Sequence, residues 1–457
     1  MKRREFLQLA LFSTSAALMP KYLEASSLDL SKIDFSSAVY SSNEAQSIII
    51  FLAGGASQLA GNLTNLDEIE QHSQNSYKSY FRGITPTANG FWQEAGGVHL
   101  EKMLSDGDMT LFRTCYSAIR EANNNKAHGV CTEQNQKGNF DTSKAGIITN
   151  LAKILAANGV IDANSKLPFI TMLGENKFYA QDDTPVQNYL KPIGLDRNFN
   201  NPYERSLWSE RTWIYYTDSE RSVENHSKSD KEGGFVPQFS IDMDVLAQKH
   251  NSPGKIKDAF AKRKELSDFI NSLKSATVPD LGEDAYPQNN HFAQNLKAAI
   301  TILDKNPDTK VITIGNSGLG GWDDHNEARD YVSRAEGLFR SIRSALAHLK
   351  AINKDGKINI ILFSEFGRNV NLNSAFGWDH GNLQNLYIFA GKDYFNHKGV
   401  VGETRVDVTG KLNRLWLKPK NGSYWFEPMA IAATIYKIYG IENPQVLTGG
   451  YDAVDIF

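Results

Sequence analysis

The sequence predicts an α/β fold with a mostly parallel sheet, helices on both faces and an inserted cap region. Several short runs are continuously apolar, which is typical of parallel strands that are covered on both faces. Helical patterns separate several of these runs, as expected when crossover helices connect parallel strands. At 457 residues, of which 41% are hydrophobic and 22% charged, the chain is long and apolar enough to bury a large core.

Six apolar runs predict the strands of the sheet. They are SIIIFLAGG (47–55), MTLFRTC (109–115), LPFITML (167–173), KVITIGN (310–316), INIILFSEF (358–366) and NLYIFAG (385–391). The clearest helix spans 326–350, where apolar residues recur at spacings of three and four, and two further helical stretches cover about 255–274 and 291–304. Because the runs and helices alternate, the sequence favours one α/β domain over 26–457.

Residues 176–255 have a different composition. They are rich in Asn, Ser, Asp, Glu, Tyr and Trp, and their periodicity is weak. This pattern predicts an insertion or cap at about 176–255, in which helical and irregular pieces mix, within the larger domain.

Residues 1–25 have the features of an export signal. Arg3 and Arg4 precede an apolar stretch that ends near Met19, and small residues follow at Ala25 and Ser26. The paired arginines indicate the twin-arginine export machinery, and the apolar stretch is shorter than the roughly 20 residues that span a bilayer. A short membrane anchor or a chance basic terminus are the alternatives. We therefore expect a periplasmic or extracellular bacterial protein with no transmembrane span in the mature chain.

Charge and cysteine content exclude several classes. The net charge of −3 gives no general attraction to nucleic acid or anionic membranes. Cys115 and Cys131 are the only cysteines; they could pair in an oxidising compartment, but no Cys/His cluster predicts structural zinc.

Polar and charged residues follow three of the predicted strands. Because the carboxyl ends of parallel strands meet at one edge of a sheet, these residues should converge there. They are Asp323, Asp324 and His325 after one run, Glu365 and Arg368 after another, and Asp379 and His380 in the next loop. Carboxylates and imidazoles are ligands for zinc, manganese and related ions. The alternative is a buried Glu365–Arg368 ion pair with the histidines in a hydrogen-bond network.

The same stretches resemble a known family. TIGNSGLGGWDDHNE, FSEFGRNV and GWDHGN resemble the Asp-x-His, Ser-Glu-Phe-Gly-Arg and Asp-His-Gly signatures of the exported bacterial proteins grouped as domain of unknown function 1501. That family is similar to the alkaline phosphatase and sulfatase superfamily. The likeness covers nearly the whole mature chain, including FLAGGASQL, AHGVCTEQNQKG, HFAQNLKAAITIL and FEPMAIAATIYKIYGI.

The resemblance implies a fold and a chemistry. The fold would be alkaline-phosphatase-like. In the active site, two metal ions would flank a Ser, Thr or modified Cys nucleophile that attacks a phosphate or sulfate ester. By position, Asp323, His325 and His380 resemble the ligands of one metal, and Glu365 resembles a carboxylate ligand of the second. Asp379, which adjoins His380, is expected at the same cation.

Two departures leave the number of metals open. The superfamily places an aspartate ligand after the first strand, where this chain has Ala56, Ser57 and Gln58. A paired Asp-His at the later strand is replaced by Glu365 and Phe366. The second metal site is therefore depleted, and the protein could bind one divalent ion, two or none, with zinc, manganese and calcium as the candidates.

The sequence offers several candidates for the catalytic nucleophile. Cys131, Thr132 and Ser57 are the candidate nucleophiles, although Cys131 lacks the Pro and Arg of the sulfatase Cys-x-Pro-x-Arg signature. Cys131 could equally be a small buried residue or pair with Cys115. His128 could bind substrate or bridge loops. Arg368 could hold an anionic oxygen pair or form an ion pair with Glu365.

Two functions therefore follow from the sequence. The first is an exported metal-dependent hydrolase of phosphate or sulfate esters, acting on an anionic ester or glycan substrate. The second is a catalytically degenerate envelope or surface protein that binds a glycan or protein partner through 176–255. Trp322 and Trp378 are expected to pack beneath the loops, although an exposed one could stack on a sugar ring.

Overall fold

The structure is a computed structural model that describes residues 28–36, 44–72, 77–172, 177–183, 186–199, 227–229, 235–237, 268–316, 318–408 and 414–457. The chain divides into two compact units. One comprises 26–193 and 278–457, and the other comprises 1–25 and 194–277. The first unit contains the candidate site and most of the described residues.

The helices and strands have these bounds. The helices are α1 (Leu66–His72), α2 (Tyr77–Tyr80), α3 (Gly97–Ser105), α4 (Ala118–Ala122), α5 (His128–Lys137), α6 (Ile147–Ala157), α7 (His291–Lys305), α8 (Asp330–Ala351), α9 (Met429–Ile438) and α10 (Gln445–Thr448). The strands are β1 (Gln46–Leu52), β2 (Met109–Tyr116), β3 (Phe169–Met172), β4 (Ile193–Gly194), β5 (Ser227–Ser229), β6 (Phe235–Pro237), β7 (Val311–Ile314), β8 (Ile358–Ser364), β9 (Gly367–Arg368), β10 (His380–Gly381), β11 (Leu383–Ala390), β12 (Gly399–Val401), β13 (Thr404–Asp407) and β14 (Trp416–Pro419).

Seven strands of the first unit form one sheet in the order β12-β2-β11-β8-β1-β7-β3. Strand β1 is parallel to both neighbours, with Ile48 beside Ile360 of β8 and Ile312 of β7. Strand β11 is antiparallel to β2 and to β8, so the other six strands point in one direction. The predicted α/β class with a mostly parallel sheet is confirmed.

Helices cover both faces of this sheet. Side chains alternate between faces along each strand, and one set, including Phe51, Phe363 and Ile388, packs in a core cluster with residues of α6 and α9. On the opposite face, Tyr387 of β11 contacts Phe339 of α8, with ring centroids 5.2 Å apart. The strands are therefore buried on both sides, which explains why their sequences are continuously apolar.

All six predicted runs contain strands of this sheet, and the predicted helices at 291–304 and 326–350 correspond to α7 and α8. Within the helix expected at about 255–274, residues 268–274 are helical, and 255–267 lie outside the described residues. Most of 176–255 and all of 1–25 also lie outside them, so the insertion and the export signal stay predictions. Among the described residues, no helix has the length and apolar character to cross a membrane.

Candidate metal centre

The candidate centre lies at the carboxyl edge of the sheet, as the topology requires. Strand β1 runs into Gly54, β7 leads into the loop of Asp323 and His325, and β8 ends immediately before Glu365. Gly54 has φ +109°, and a Cβ there would lie 2.6 Å from the backbone nitrogen of Asp323. The absence of a side chain at position 54 therefore allows two of the loops to meet.

Four side chains converge in the centre: His128, Asp323, His325 and His380. One ligand atom from each lies within 4.8 Å of all the others. The Nε2 atoms of His325 and His380 are 2.8 Å apart, and Asp323 Oδ1 lies 3.3 Å from His325 Nε2 and 3.4 Å from His128 Nε2. The structure thus adds His128, the first residue of α5, to three residues that the sequence had placed at one metal.

The opposite ring nitrogens of His128 and His380 are held by oxygen acceptors. His128 Nδ1 donates to the buried carboxylate of Glu365 at 2.6 Å, and His380 Nδ1 donates to the carbonyl oxygen of Lys126 at 2.6 Å. A neutral imidazole that is protonated at Nδ1 has its lone pair at Nε2. Both lone pairs are therefore directed toward the centre, which is the usual arrangement of metal-binding histidines.

The outer nitrogen of His325 lies near Asp379, at a longer distance. His325 Nδ1 lies 3.6 Å from Asp379 Oδ1, while Asp379 Oδ2 forms an ion pair with Arg414 Nε at 2.9 Å. Glu365 and Asp379, both expected as metal ligands, thus contact the outer nitrogens of histidines and lie outside the cluster of four. In addition to His128, Glu365 accepts hydrogen bonds from the Gly54 amide at 2.8 Å and from the Thr132 hydroxyl.

Arg368 connects the loops of the centre. Its side chain is buried and donates to backbone oxygens of Gly54, Gly55, Trp322 and Trp378. Its ion-pair partner is Asp323 at 2.7 Å, whereas the sequence had offered Glu365 as the alternative partner. Because its donors are directed at these groups, Arg368 holds the loops together and supplies one positive charge beside the cluster.

The electrostatics of the centre favour the ligand forms of two residues. Burial raises the pKa of Asp323, but the hydrogen bond and charge of Arg368 outweigh this effect, so that the pKa lies below its ordinary value. Burial lowers the pKa of His380 to about 4, and the nearby Arg368 contributes in the same direction. At neutral pH, Asp323 is therefore an anion and His380 is a neutral imidazole.

Three of the spacings between these atoms are close to those around one small divalent ion. Ligands bound to zinc at about 2.0–2.1 Å in a tetrahedron lie about 3.3 Å apart. The two distances from Asp323 Oδ1, 3.3 and 3.4 Å, match this separation, while the 2.8 Å contact between His325 and His380 would open slightly. Two unprotonated nitrogens at 2.8 Å repel each other, so a cation or a proton is required between them.

The three candidate nucleophiles are poorly accessible. Cys131 is 0% exposed, Thr132 is 5% exposed and Ser57 is 8% exposed. Burial also raises the pKa of the Cys131 thiol, and the Thr132 hydroxyl donates to Glu365. Cys131 and Cys115 are both free thiols. Trp322 and Trp378 are buried beneath the loops at 1% and 0% exposure.

Lys126 was not singled out from the sequence. Its carbonyl oxygen holds His380, and its Nζ lies 3.7 Å from the ring centre of Trp416. In the described part of the chain, no carboxylate lies within ion-pair distance of this ammonium group. The only sequence signal for a role of Lys126 at the centre is its position two residues before His128.

No protein-family model and no curated protein sequence matches this chain. Similar solved structures include a protein in the alkaline phosphatase superfamily from Vibrio parahaemolyticus, at 10% identity over 99% of this chain and 78% of that chain, with a TM-score of 0.39. The alkaline phosphatase from the Antarctic bacterium TAB5 is 14% identical over 89% of this chain and 99% of its own, with a TM-score of 0.33. Ps i-CgsB in complex with k-i-k-neocarrahexaose is 10% identical, over 90% and 74% of the two chains, with a TM-score of 0.40. All these values are low, so what the centre does is inferred from its own side chains.

Proposed function

We propose that this chain is a metal-dependent hydrolase of phosphate or sulfate esters. One divalent ion would be held by His128, Asp323, His325 and His380. The observation that carries the proposal is the convergence of three Nε2 atoms and one carboxylate, with the outer nitrogens of the histidines facing oxygen atoms. Such outer partners orient metal ligands and raise their basicity.

The donor set indicates which ion is bound. Three imidazole nitrogens and one carboxylate suit zinc, and manganese is the second choice. Calcium takes six to eight oxygen ligands, a number that the cluster does not supply. A bound divalent ion would polarise the ester and stabilise the negative charge that develops on it.

The charges around the centre favour an anionic substrate. Arg368 already compensates Asp323, so a bound divalent ion would leave the cluster with a net positive charge. Lys126, whose carbonyl oxygen accepts from His380, adds a further cation near the centre, and its ammonium contacts an indole face. A phosphate or sulfate ester carries the complementary charge.

Within this centre the protein groups have separate tasks. Lys126 would bind a substrate oxygen, while Glu365 and Asp379 keep the imidazole rings of His128 and His325 in position. Because the predicted nucleophiles are buried, a water molecule is the attacking group that fits this centre best.

The same burial favours a second candidate function. A protein whose three candidate nucleophiles are all buried could bind an anionic glycan or a protein partner at the bacterial envelope without hydrolysing it. In either case, we propose export by the twin-arginine machinery and a periplasmic or extracellular location, on the basis of Arg3 and Arg4.

The two functions are separated by one comparison. Protein reconstituted with zinc or manganese is assayed for hydrolysis of aryl phosphates and aryl sulfates. The variant His325→Ala is assayed beside it. The control is His72→Ala, because His72 is an exposed residue of a helix. Metal-dependent turnover that is lost in His325→Ala and retained in His72→Ala supports the hydrolase. Metal-loaded protein that binds phosphate or sulfate but turns over no ester supports the binding protein.

A further inference from the structure

A small cavity lies behind the candidate metal centre, between α8 and the sheet. Its volume is about 30 Å³, and it is lined on one side by Leu338 and Phe339 of α8 and on the other by Leu52 and Leu362 of the sheet. All of the residues that line it are buried. It reaches Trp322, which directly precedes the ligand Asp323.

Three residues that line this cavity have a buried polar atom without a hydrogen-bond partner in the described structure. These atoms are Trp322 Nε1, Gln384 Nε2 and Asn385 Oδ1. The other polar atoms of the two amides are in use: Gln384 Oε1 accepts from the Ser364 amide at 2.9 Å, and Asn385 Nδ2 donates to the Gln58 carbonyl at 3.0 Å. The two amides are therefore anchored, and both residues line one cavity.

The chemistry of the three atoms is complementary to water. The indole and the Gln384 amide are donors, and the Asn385 oxygen is an acceptor, whereas water accepts two hydrogen bonds and donates two. A cavity of this volume accommodates a water molecule, which needs about 10–15 Å³ and two to four polar partners. Buried polar atoms in native proteins are almost always satisfied, in many cases by an internal water.

We propose that this cavity is a binding site for an ordered water molecule that connects β11 to the loop of Asp323. The water accepts hydrogen bonds from Trp322 and Gln384 and donates one to Asn385. Trp322 is thereby a positioning residue, because its carbonyl also accepts from Arg368 at 3.2 Å and its neighbour Asp323 is a ligand of the cluster.

The direct test is a crystal structure of the metal-loaded protein at a resolution that shows individual waters. We expect density for a water within hydrogen-bond distance of Trp322 Nε1, Gln384 Nε2 and Asn385 Oδ1. An empty cavity, or side chains rearranged to satisfy one another, would overturn the proposal. This result is independent of whether the protein hydrolyses esters.

A matched pair of variants tests the positioning role. Trp322→Phe removes the indole donor of the cavity, and Trp92→Phe removes another buried indole NH that has no partner in the described structure and lies outside the cavity. We expect zinc affinity to fall about tenfold in Trp322→Phe, as for other outer partners of metal ligands, and to stay unchanged in Trp92→Phe. Equal affinities in the two variants would refute the role. If Trp322→Phe does not fold, the crystal structure still decides whether the water is bound.

Discussion

The Glu365→Gln substitution changes one atom at the best-defined outer contact of the centre. Glu365 is 1% exposed, and its Oε1 accepts from His128 Nδ1 at 2.6 Å and from the Gly54 amide at 2.8 Å. The amide oxygen of Gln can still accept both hydrogen bonds. The substitution therefore removes the negative charge while preserving the shape of the site.

The size of the effect follows from this contact. Loss of an outer partner of a metal-binding histidine typically costs 10- to 100-fold in metal affinity. Because Gln keeps the hydrogen bond and loses only the charge, we expect the lower end, about tenfold or about 1.4 kcal/mol. Glu365→Ala removes both the hydrogen bond and the charge, so its loss of metal affinity should approach 100-fold.

The assay is a competition titration with a chelator of known zinc affinity. The matched control is Glu427→Gln, since Glu427 is also buried and accepts from a backbone amide, that of Ile119 at 3.1 Å. The control should bind zinc like the parent protein. Equal affinities of parent and Glu365→Gln, with both folded, would refute the role of Glu365 in orienting His128.

Three further predictions concern substrate binding by Lys126, the pH dependence of stability and the backbone at Gly54. Lys126→Met should raise KM for a phosphate or sulfate ester about tenfold with a smaller change in kcat, because it removes a substrate-binding charge; a loss confined to kcat would contradict this. Burial lowers the pKa of His348 from 6.5 to about 4, so the unfolded chain takes up a proton there before the folded protein does. His348 therefore does not reduce the free energy of unfolding above pH 6.5. As the pH falls from 6.5 toward 4, protonation of the unfolded chain at His348 lowers the free energy of unfolding by about 3 kcal/mol at most. Urea unfolding measured at pH 6.5 and near pH 4 should show that the free energy of unfolding depends less on pH in His348→Gln than in the parent protein. An unchanged pH dependence would refute the prediction. Gly54→Ala should lower zinc affinity at least tenfold, because its Cβ would meet the Asp323 backbone, whereas Gly450→Ala, with φ +100° and no atom within 4 Å, should bind zinc normally.

Much of the fold could be predicted because buried parallel strands leave a local signal. Runs such as 47–55 and 358–366 are continuously apolar, and each contains a strand with helices on both faces. The antiparallel direction of β11 was not predictable in the same way, since its eight residues are all buried, like those of the parallel strands β1 and β8. Strand direction depends on the connections between strands and leaves no mark on the composition.

The candidate site could be located from the sequence, but the tasks of its side chains could not. Topology alone predicts that Asp323, His325 and His380 meet at one edge of the sheet. Whether Glu365 faces a metal or an imidazole depends on His128, which is 237 positions away in the chain. Similarly, Arg368 pairs with Asp323 across 45 positions, and the nearby Glu365 has other partners. These choices are made by tertiary contacts.

The central claim is that the four converging side chains bind a divalent ion. The most direct measurement is elemental analysis of protein exported through its own signal, beside the variant His380→Ala. We predict about one equivalent of zinc or manganese per chain in the parent protein and its loss in the variant. No metal in the parent protein, or an equal content in both proteins, would contradict the claim and leave the cluster as a hydrogen-bonded network around Arg368.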